Sequence, residues 1–216
     1  MNCIYCNAKT YTLNNGHKKC KICKRKFSPK KLARKEALLE CFYKNYTANR
    51  CSKKIDINYI TILKEYKKIR KKIAIFMEEE FINKNKILDY NEYIYLPLTK
   101  RGKKENIFDG FNFLTYNFDN KIYNILLPNL SRYKPTLLED KADEIYYKEL
   151  EKFLYSYHIT NSKNSNLIKE FWQYFEEFML KFNGINKDNF FYYLKETEFK
   201  FNYGKEGVKI VKSLFH

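Results

Sequence analysis

Four of the six cysteines stand in two Cys-x-x-Cys pairs, Cys3-Ile4-Tyr5-Cys6 and Cys20-Lys21-Ile22-Cys23, with 13 residues between them. The two-residue spacing lets both thiolates of a pair turn toward one ion. Two such pairs supply the four soft ligands of a tetrahedral zinc site. Asn14-Asn15-Gly16 lies midway, where the chain must reverse, and Asn-Gly accepts the positive φ of a tight turn. Cys3, Cys6, Cys20 and Cys23 are therefore expected to hold one structural Zn2+ at the base of a short hairpin, a zinc ribbon over residues 1–28. Disulfides are the alternative chemistry for the same cysteines. They belong to oxidising compartments, and with Met1-Asn2-Cys3 opening directly into the ribbon no secretory signal is expected. His17, on the hairpin, is redundant to a shell of four thiolates and is read as exposed or facing DNA.

The elements that follow carry charge of one sign. The chain has 216 residues and a formal net charge of +17. Residues 1–76 hold 21 Lys+Arg against 4 Asp+Glu, and residues 77–216 hold 21 of each, so the first third carries the whole excess. A region so charged, next to a zinc ribbon, is read as a surface for a polyanion. Counterion release from phosphates supplies affinity there without sequence choice. The longest apolar runs are only a few residues, which excludes a transmembrane helix. The expected compartment is cytoplasmic, with nucleoid association.

Residues 29–77 read as three helices. Ser28-Pro29 is an N-cap followed by proline at the first helical position, and the helix it starts should run to about Asn45. Thr47 caps a short second helix to about Lys54, and Asn58 caps a third to about Met77. Cys41 and Cys51 fall in helical segments away from the ribbon and are read as small core residues. A short second helix and a tight turn before a basic third helix form a helix-turn-helix pattern. On the third helix, Ile60, Leu63, Tyr66, Ile69, Ile73 and Phe76 recur at three- and four-residue spacing and should pack inward. Asn58, Tyr59, Thr61 and Lys64 are the candidates for base readout. Lys24, Arg25 and Lys26 on the second knuckle, with Lys67, Lys68 and Lys71 on the helix, are candidates for phosphate contacts.

A composition shift at residues 78–89, which include Glu78-Glu79-Glu80, marks a linker before a second domain at 90–216. Strands are expected at 90–98, 107–116 and 121–127, the last two joined by a turn at Asp119-Asn120. Further strands are expected at 135–138 and 154–159, with helices ending near Lys152 and over 166–182 and 188–202. Three strands followed by alternating helix and strand suggest an α/β layer. The whole chain is thus an α+β multidomain protein. The aromatics Phe171, Trp172, Tyr174, Phe175, Phe178, Phe190, Phe191, Tyr192 and Tyr193 are read as core residues that cover a sheet rather than as stacking platforms for bases.

The last third also carries a signature. Asn166-Leu167-Ile168-Lys169-Glu170-Phe171-Trp172, Phe182-Asn183-Gly184-Ile185, Tyr193-Leu194-Lys195-Glu196 and Phe199-Lys200-Phe201-Asn202 resemble the C-terminal motif of small bacterial insertion-sequence transposases. That family joins an N-terminal zinc ribbon and helix-turn-helix to an RNase H-like DDE domain. Asn91-Glu92-Tyr93-Ile94-Tyr95 and Lys100-Arg101-Gly102-Lys103 stand where the family has its first catalytic motif. The resemblance implies double-stranded DNA as partner, with transposon terminal repeats as the site, and admits a homodimer. It implies three carboxylates holding two Mg2+ or Mn2+ ions for strand transfer. Carried over position by position, the triad falls on Asn91, Asp140 and Lys169, a neutral amide and a cation at two of three places. The resemblance therefore implies a truncated RNase H-like domain with a degraded DDE site.

Two other functions remain open on the sequence. A working transposase would need shifted carboxylates. Asp89 shares the strand face of Asn91, Glu92 is its neighbour, and Glu170 follows Lys169 about 100° around the helix. A ribbon module for RNA or for a protein partner is the third possibility.

Overall fold

The computed structural model describes residues 1–84, 88–101, 104–128, 131, 144, 147–152, 166–182 and 184–214. The expected strands at 135–138 and 154–159, and Asp140, lie outside the described residues. The chain divides into two compact units, Met1–Lys72 with Lys205–His216, and Ile73–Gly204. The sequence places the boundary at the composition shift after residue 77, whereas packing places it five residues earlier and returns the C-terminal segment to the first unit. Counted over that unit, Lys+Arg outnumber Asp+Glu 24 to 5. No helix among the described residues is long and apolar enough to cross a membrane.

The first unit opens with a three-stranded antiparallel sheet of β1 (Thr10–Thr12), β2 (Lys18–Cys20) and β3 (Lys26–Phe27) in that spatial order. Gly16 carries the positive φ, 78°, that the β1–β2 turn requires. Helices α1 (Pro29–Tyr43) and α2 (Ala48–Ile55) follow, and α3 (Tyr59–Ile82) extends past the expected end at Met77 into the second unit's residues. The caps are those the sequence indicates. Ser28 Oγ accepts from Lys31 N at 3.3 Å, Thr47 Oγ1 from Arg50 N at 3.3 Å, and Asn58 Oδ1 from Ile60 N at 2.8 Å. Their core joins Leu38, Leu39, Cys41 and Phe42 of α1 to Ala48 and Cys51 of α2 and Ile62, Tyr66 and Ile69 of α3. Cys41 and Cys51 are buried as expected, and burial pushes the Cys41 thiol up to about 12. A short C-terminal helix, α6 (Gly207–Ser213), packs on α1.

The expected inward face of α3 is only half correct. Tyr66, Ile69 and Ile73 are buried, but Ile60 and Leu63 are 53% and 37% exposed. Ile62, which is fully buried, begins the stripe instead. Apolar residues at 60, 62 and 63 offer two registers in the first turn that share the later positions. The fold takes the one through Ile62, and Tyr66, common to both, meets the Phe42 ring edge-on at 5.1 Å.

In the second unit, β4 (Asp89–Tyr95), β5 (Phe111–Phe118) and β6 (Lys121–Leu126) form an antiparallel sheet in sequence order. Asp119 and Asn120 both take positive φ, the geometry of a two-residue hairpin, where the turn was expected. Helices α4 (Leu167–Met179) and α5 (Lys187–Tyr203) cover one face of the sheet. The layer between them is aromatic: Tyr93, Tyr95, Phe111 and Phe113 meet Phe171, Trp172, Phe175 and Phe190. Phe111 and Phe190 stack with centroids 3.8 Å apart. Phe171, Trp172, Phe175, Phe178 and Phe190 are thus committed to the core, and Tyr174, Phe191, Tyr192 and Tyr193 are half-buried.

A polar chain runs through this layer. Trp172 Nε1 donates to Thr115 Oγ1 at 2.8 Å, and Thr115 Oγ1 donates to Asn124 Oδ1 at 2.8 Å. Glu198 Oε2 accepts from Asn124 N and Nδ2 at 2.8 and 2.9 Å. Lys195 Nζ donates to Asn124 O at 2.8 Å and pairs with Glu198 at 3.2 Å and Glu78 at 2.6 Å. Burial raises the Glu198 carboxyl to about 7, against the opposing pull of Lys195 and Asn124. The fold therefore favours the protonated acid more than the unfolded chain does. Stability should be highest below the ordinary carboxylate value of 4.5 as far as Glu198 is concerned, and should fall as pH rises through about 7. Melting curves of the second unit's transition between pH 5 and 8 should show that loss, up to about 3 kcal/mol. Glu198→Gln, which does not titrate, should flatten it.

Candidate functional site

Two short knuckles of the same shape hold the four cysteines. In the first, Cys3 N donates to Ala8 O at 2.8 Å. In the second, Cys20 N donates to Arg25 O at 3.0 Å. Each turns through a residue of positive φ directly after its second cysteine, Asn7 at 56° and Lys24 at 60°. Backbone amides point at the sulfurs: Tyr5 N lies 3.5 Å from Cys3 Sγ, and Ile22 N and Cys23 N lie 3.3 and 3.4 Å from Cys20 Sγ. The hairpin brings the knuckles together, so that all four sulfurs lie within 4.8 Å of one another.

These distances test the chemistry. Cys3 Sγ and Cys23 Sγ are 3.6 Å apart, and Cys6 Sγ and Cys20 Sγ are 3.4 Å apart. A disulfide needs about 2.05 Å. A tetrahedral ion with bonds of about 2.3 Å spaces its sulfurs about 3.8 Å apart. The short contacts also cross between the knuckles, Cys3 to Cys23 and Cys6 to Cys20, which is the arrangement that encloses an ion. Burial opposes a thiolate at Cys20, but the amides of Cys23 and Ile22 and the neighbouring thiols bring it down to about 6. At Cys23 the Arg25 amide favours the thiolate, yet burial and the sulfurs of Cys20, Cys3 and Cys6 push it up to about 12. Four thiols this close cannot all ionise without a cation among them, and a divalent metal such as zinc removes that conflict. His17 stands outside the group. It is half-buried and lines a groove with Tyr5, Lys26, Ser28, Lys31 and Lys35.

The candidate DNA-contact residues fall in different settings. Lys24 donates to Lys21 O at 2.7 Å, and Arg25 lies over the Tyr5 ring at 4.9 Å. Lys26 is exposed on β3. Asn58 is occupied as the cap of α3. Tyr59, Thr61, Lys64, Lys67, Lys68 and Lys71 are all exposed. Lys68 is paired with Glu65 at 2.6 Å, while the ammonium groups of Lys64, Lys67 and Lys71 meet no carboxylate among the described residues.

In the second unit, Asn91 on β4 lies opposite Thr115 on β5, which lies opposite Asn124 on β6. Strand alternation puts Asp89, Asn91, Tyr93 and Tyr95 on the face toward α4, where Tyr93 meets Trp172 at 4.6 Å. Glu92 projects from the other face, held by Asn112 at 2.5 Å and Lys152 at 3.3 Å. Asn91 Oδ1 accepts from Glu92 N at 2.9 Å. Lys169 is buried and Glu170 exposed in the first turn of α4, so the two diverge as helical geometry demands. The strand and helix bearing Asn91 and Lys169 do pack on each other, and Asp140 lies outside the described residues. Among the described residues, the four cysteines are the only cluster of His, Cys, Asp or Glu close enough to hold a metal.

Two arrangements were not foreseen from the sequence. Arg101 Nη2 donates to both oxygens of Glu176 at 2.8 and 2.7 Å, while its Nε donates to Leu96 O at 2.7 Å, tying the loop after β4 to α4. Tyr93 Oη donates to the same carboxylate at 2.7 Å. The buried pair Lys195–Glu198 is the other. Its i,i+3 spacing is visible in the sequence, but its burial is not.

A cysteine-knuckle ribbon with a capped, basic three-helix segment, followed by an antiparallel sheet covered on one face by helices, is the α+β class of molecule these features define. The chain is 31% identical over 114 residues to an uncharacterized transposase-like protein of Haemophilus influenzae, a match that covers 44% of this chain and 93% of that relative. It belongs to the transposase-like family. No family model matches it, and no solved structure does.

If the four sulfurs share one ion, Cys20→Ser should take zinc from one per chain to none in native mass spectrometry, and Cys41→Ser should leave it unchanged. Zinc retained by Cys20→Ser would rule out the four-cysteine centre.

Proposed function

We propose that this transposase-like protein binds double-stranded DNA through a zinc ribbon and helix-turn-helix, and that its second unit is a truncated RNase H-like domain whose DDE metal site has degraded. The observation that carries the DNA-binding reading is the segregation of charge, 24 basic against 5 acidic residues in one unit, on a frame of three capped helices. Cys3, Cys6, Cys20 and Cys23 hold the structural zinc. Helix α3 is the recognition helix, with Lys64, Lys67 and Lys71 on phosphates, and Lys24, Arg25 and Lys26 extend the contact along the backbone. Transposon terminal repeats are the natural class of target.

The degraded site is supported by what stands at the family's positions. Asn91 cannot supply an anionic ligand, and the row beside it consists of a hydroxyl, an amide and a carboxylate already paired with Lys195. Lys169 places a cation where a metal ligand belongs. Mg2+ and Mn2+ need hard anionic oxygens. The protein then occupies DNA without cutting it, as a regulator or as a competitor at transposon ends.

Two measurements test these statements separately. Lys64→Ala with Lys67→Ala should weaken duplex binding and lower the slope of log K against log salt by roughly 2. An unchanged slope would remove α3 from the interface. Calorimetric titration of Mn2+ into the zinc-loaded protein should give no micromolar binding. Binding that disappears in Asp140→Ala would instead establish a working site, with Asp89 or Glu92 and Glu170 as the partners to examine.

A further inference from the structure

The outward face of α3 does not begin with polar groups. Tyr59, Ile60 and Leu63 are 45%, 53% and 37% exposed in its first two turns. At about 100° per residue, Ile60, Leu63, Lys64, Lys67 and Lys71 fall within an arc of roughly 100°, opposite the buried stripe of Ile62, Tyr66, Ile69 and Ile73. Thr61 lies outside that arc, on the side of Glu65 and Lys68. The helix therefore presents an aliphatic tip followed by a lysine ridge on one face, in a unit where basic residues outnumber acidic ones 24 to 5. A single exposed isoleucine needs no account. Two aliphatics side by side at the start of a basic helix, in positions that the periodicity would assign to the core, do.

Charge selects the occupant. The ridge repels a second copy of the same face and calls for a polyanion whose surface also offers apolar groups at the right depth. In the major groove of duplex DNA the phosphates flank the base edges, and the apolar group displayed there is the 5-methyl of thymine. The early residues of a recognition helix are the ones that approach base edges. Asn58, the first polar candidate, has its Oδ1 committed to Ile60 N. We infer that Ile60 and Leu63 are the sequence-reading side chains of α3 and that they read thymine methyls, while Lys64, Lys67 and Lys71 hold the flanking phosphates. This inference rests on the DNA-binding reading and makes it specific: the target is thymine-rich at the positions beneath the helix tip.

The test uses the zinc-loaded full chain. Duplexes enriched from a short random pool are resynthesised with deoxyuridine in place of thymidine, which removes only the methyls. Affinity should fall about fourfold for each methyl read, with the salt slope unchanged. Ile60→Ala with Leu63→Ala, two exposed positions, should weaken binding to the thymine duplex and bind the uracil duplex equally well, whereas Thr61→Ala should keep the wild-type ratio. A wild-type protein indifferent to the exchange, or a double variant that keeps the wild-type ratio, overturns the inference while leaving DNA binding intact. If no duplex is bound at any salt, the DNA-binding reading falls and this one with it. Loss of an oligomer in the double variant, with the thymine-to-uracil ratio unchanged, would assign the face to self-association and also overturn it.

Discussion

Residues 1–28 bury almost nothing of their own. Their apolar cluster is Cys3, Cys20 and Phe27, with Ile4, Ala8 and Cys23 partly covered against it, and three of those six residues are the knuckle cysteines themselves. A segment of this size cannot offset its chain entropy by apolar burial. It also carries basic residues at positions 18, 19, 21, 24, 25 and 26, whose mutual repulsion grows as the chain compacts. Only the sulfur cluster is positioned to supply the missing free energy. In such sites metal binding and folding are one equilibrium. A divalent ion bound there would bring two positive charges but take up four thiolates, so the filled centre would have a net charge of −2 and relieve part of the crowding around it. Positive φ at Asn7 and Lys24 belongs to this logic, since each turn closes the knuckle so that amides point at sulfur.

The second unit solves the opposite problem. It has aromatic material in plenty, and the difficulty is to hold flat rings in one arrangement. The polar chain from Trp172 through Thr115 and Asn124 to Glu198 and Lys195 fixes register between β5, β6, α4 and α5, because its buried hydrogen bonds cross from each of these elements to the next. Removing one member leaves the next buried and unsatisfied, which costs more than the bond contributes. Arg101 on Glu176 does the same for the loop after β4. An acidic face suited to a divalent ion would need carboxylates without such partners. Among the described residues of this unit, the buried Glu198 and Glu196 already have Lys195 and Lys200 as partners, and the residue aligned with Thr115 on β4 is an amide.

How much of this the sequence disclosed depended on whether a signal is local. The knuckles, the Ser28, Thr47 and Asn58 caps and the Asp119-Asn120 hairpin rest on neighbours within a few residues, and each is where the sequence put it. Asn7 at positive φ is consistent with its type, but Lys24 is not a residue anyone would choose for that conformation. Only the repeat of the first knuckle by the second predicts it. The inward face of α3 was misjudged at Ile60 and Leu63 because periodicity alone cannot rank two registers that share Tyr66, Ile69 and Ile73. The decision lies in which of Ile60, Ile62 and Leu63 the rest of the fold covers, and it covers Ile62. Burial of Lys195, Glu196, Glu198 and Lys200 was equally invisible, since Leu-Lys-Glu-Thr-Glu reads as a solvated helix face until a sheet is laid over it.

That misjudgement bears on how an interface of this type discriminates. Lysines on phosphates give affinity that depends on salt and hardly on sequence. On the proposed DNA-binding reading, an outward face of α3 that was lysine throughout would coat DNA without preference. An aliphatic tip changes the balance, because an apolar side chain gains only where it meets another apolar group and loses where it covers an unpaired donor or acceptor. Discrimination then comes as much from the base pairs it penalises as from those it favours. On the proposed reading, a protein that holds DNA without cutting it would depend on that difference, since its effect would be measured by where it stays and not by what it turns over.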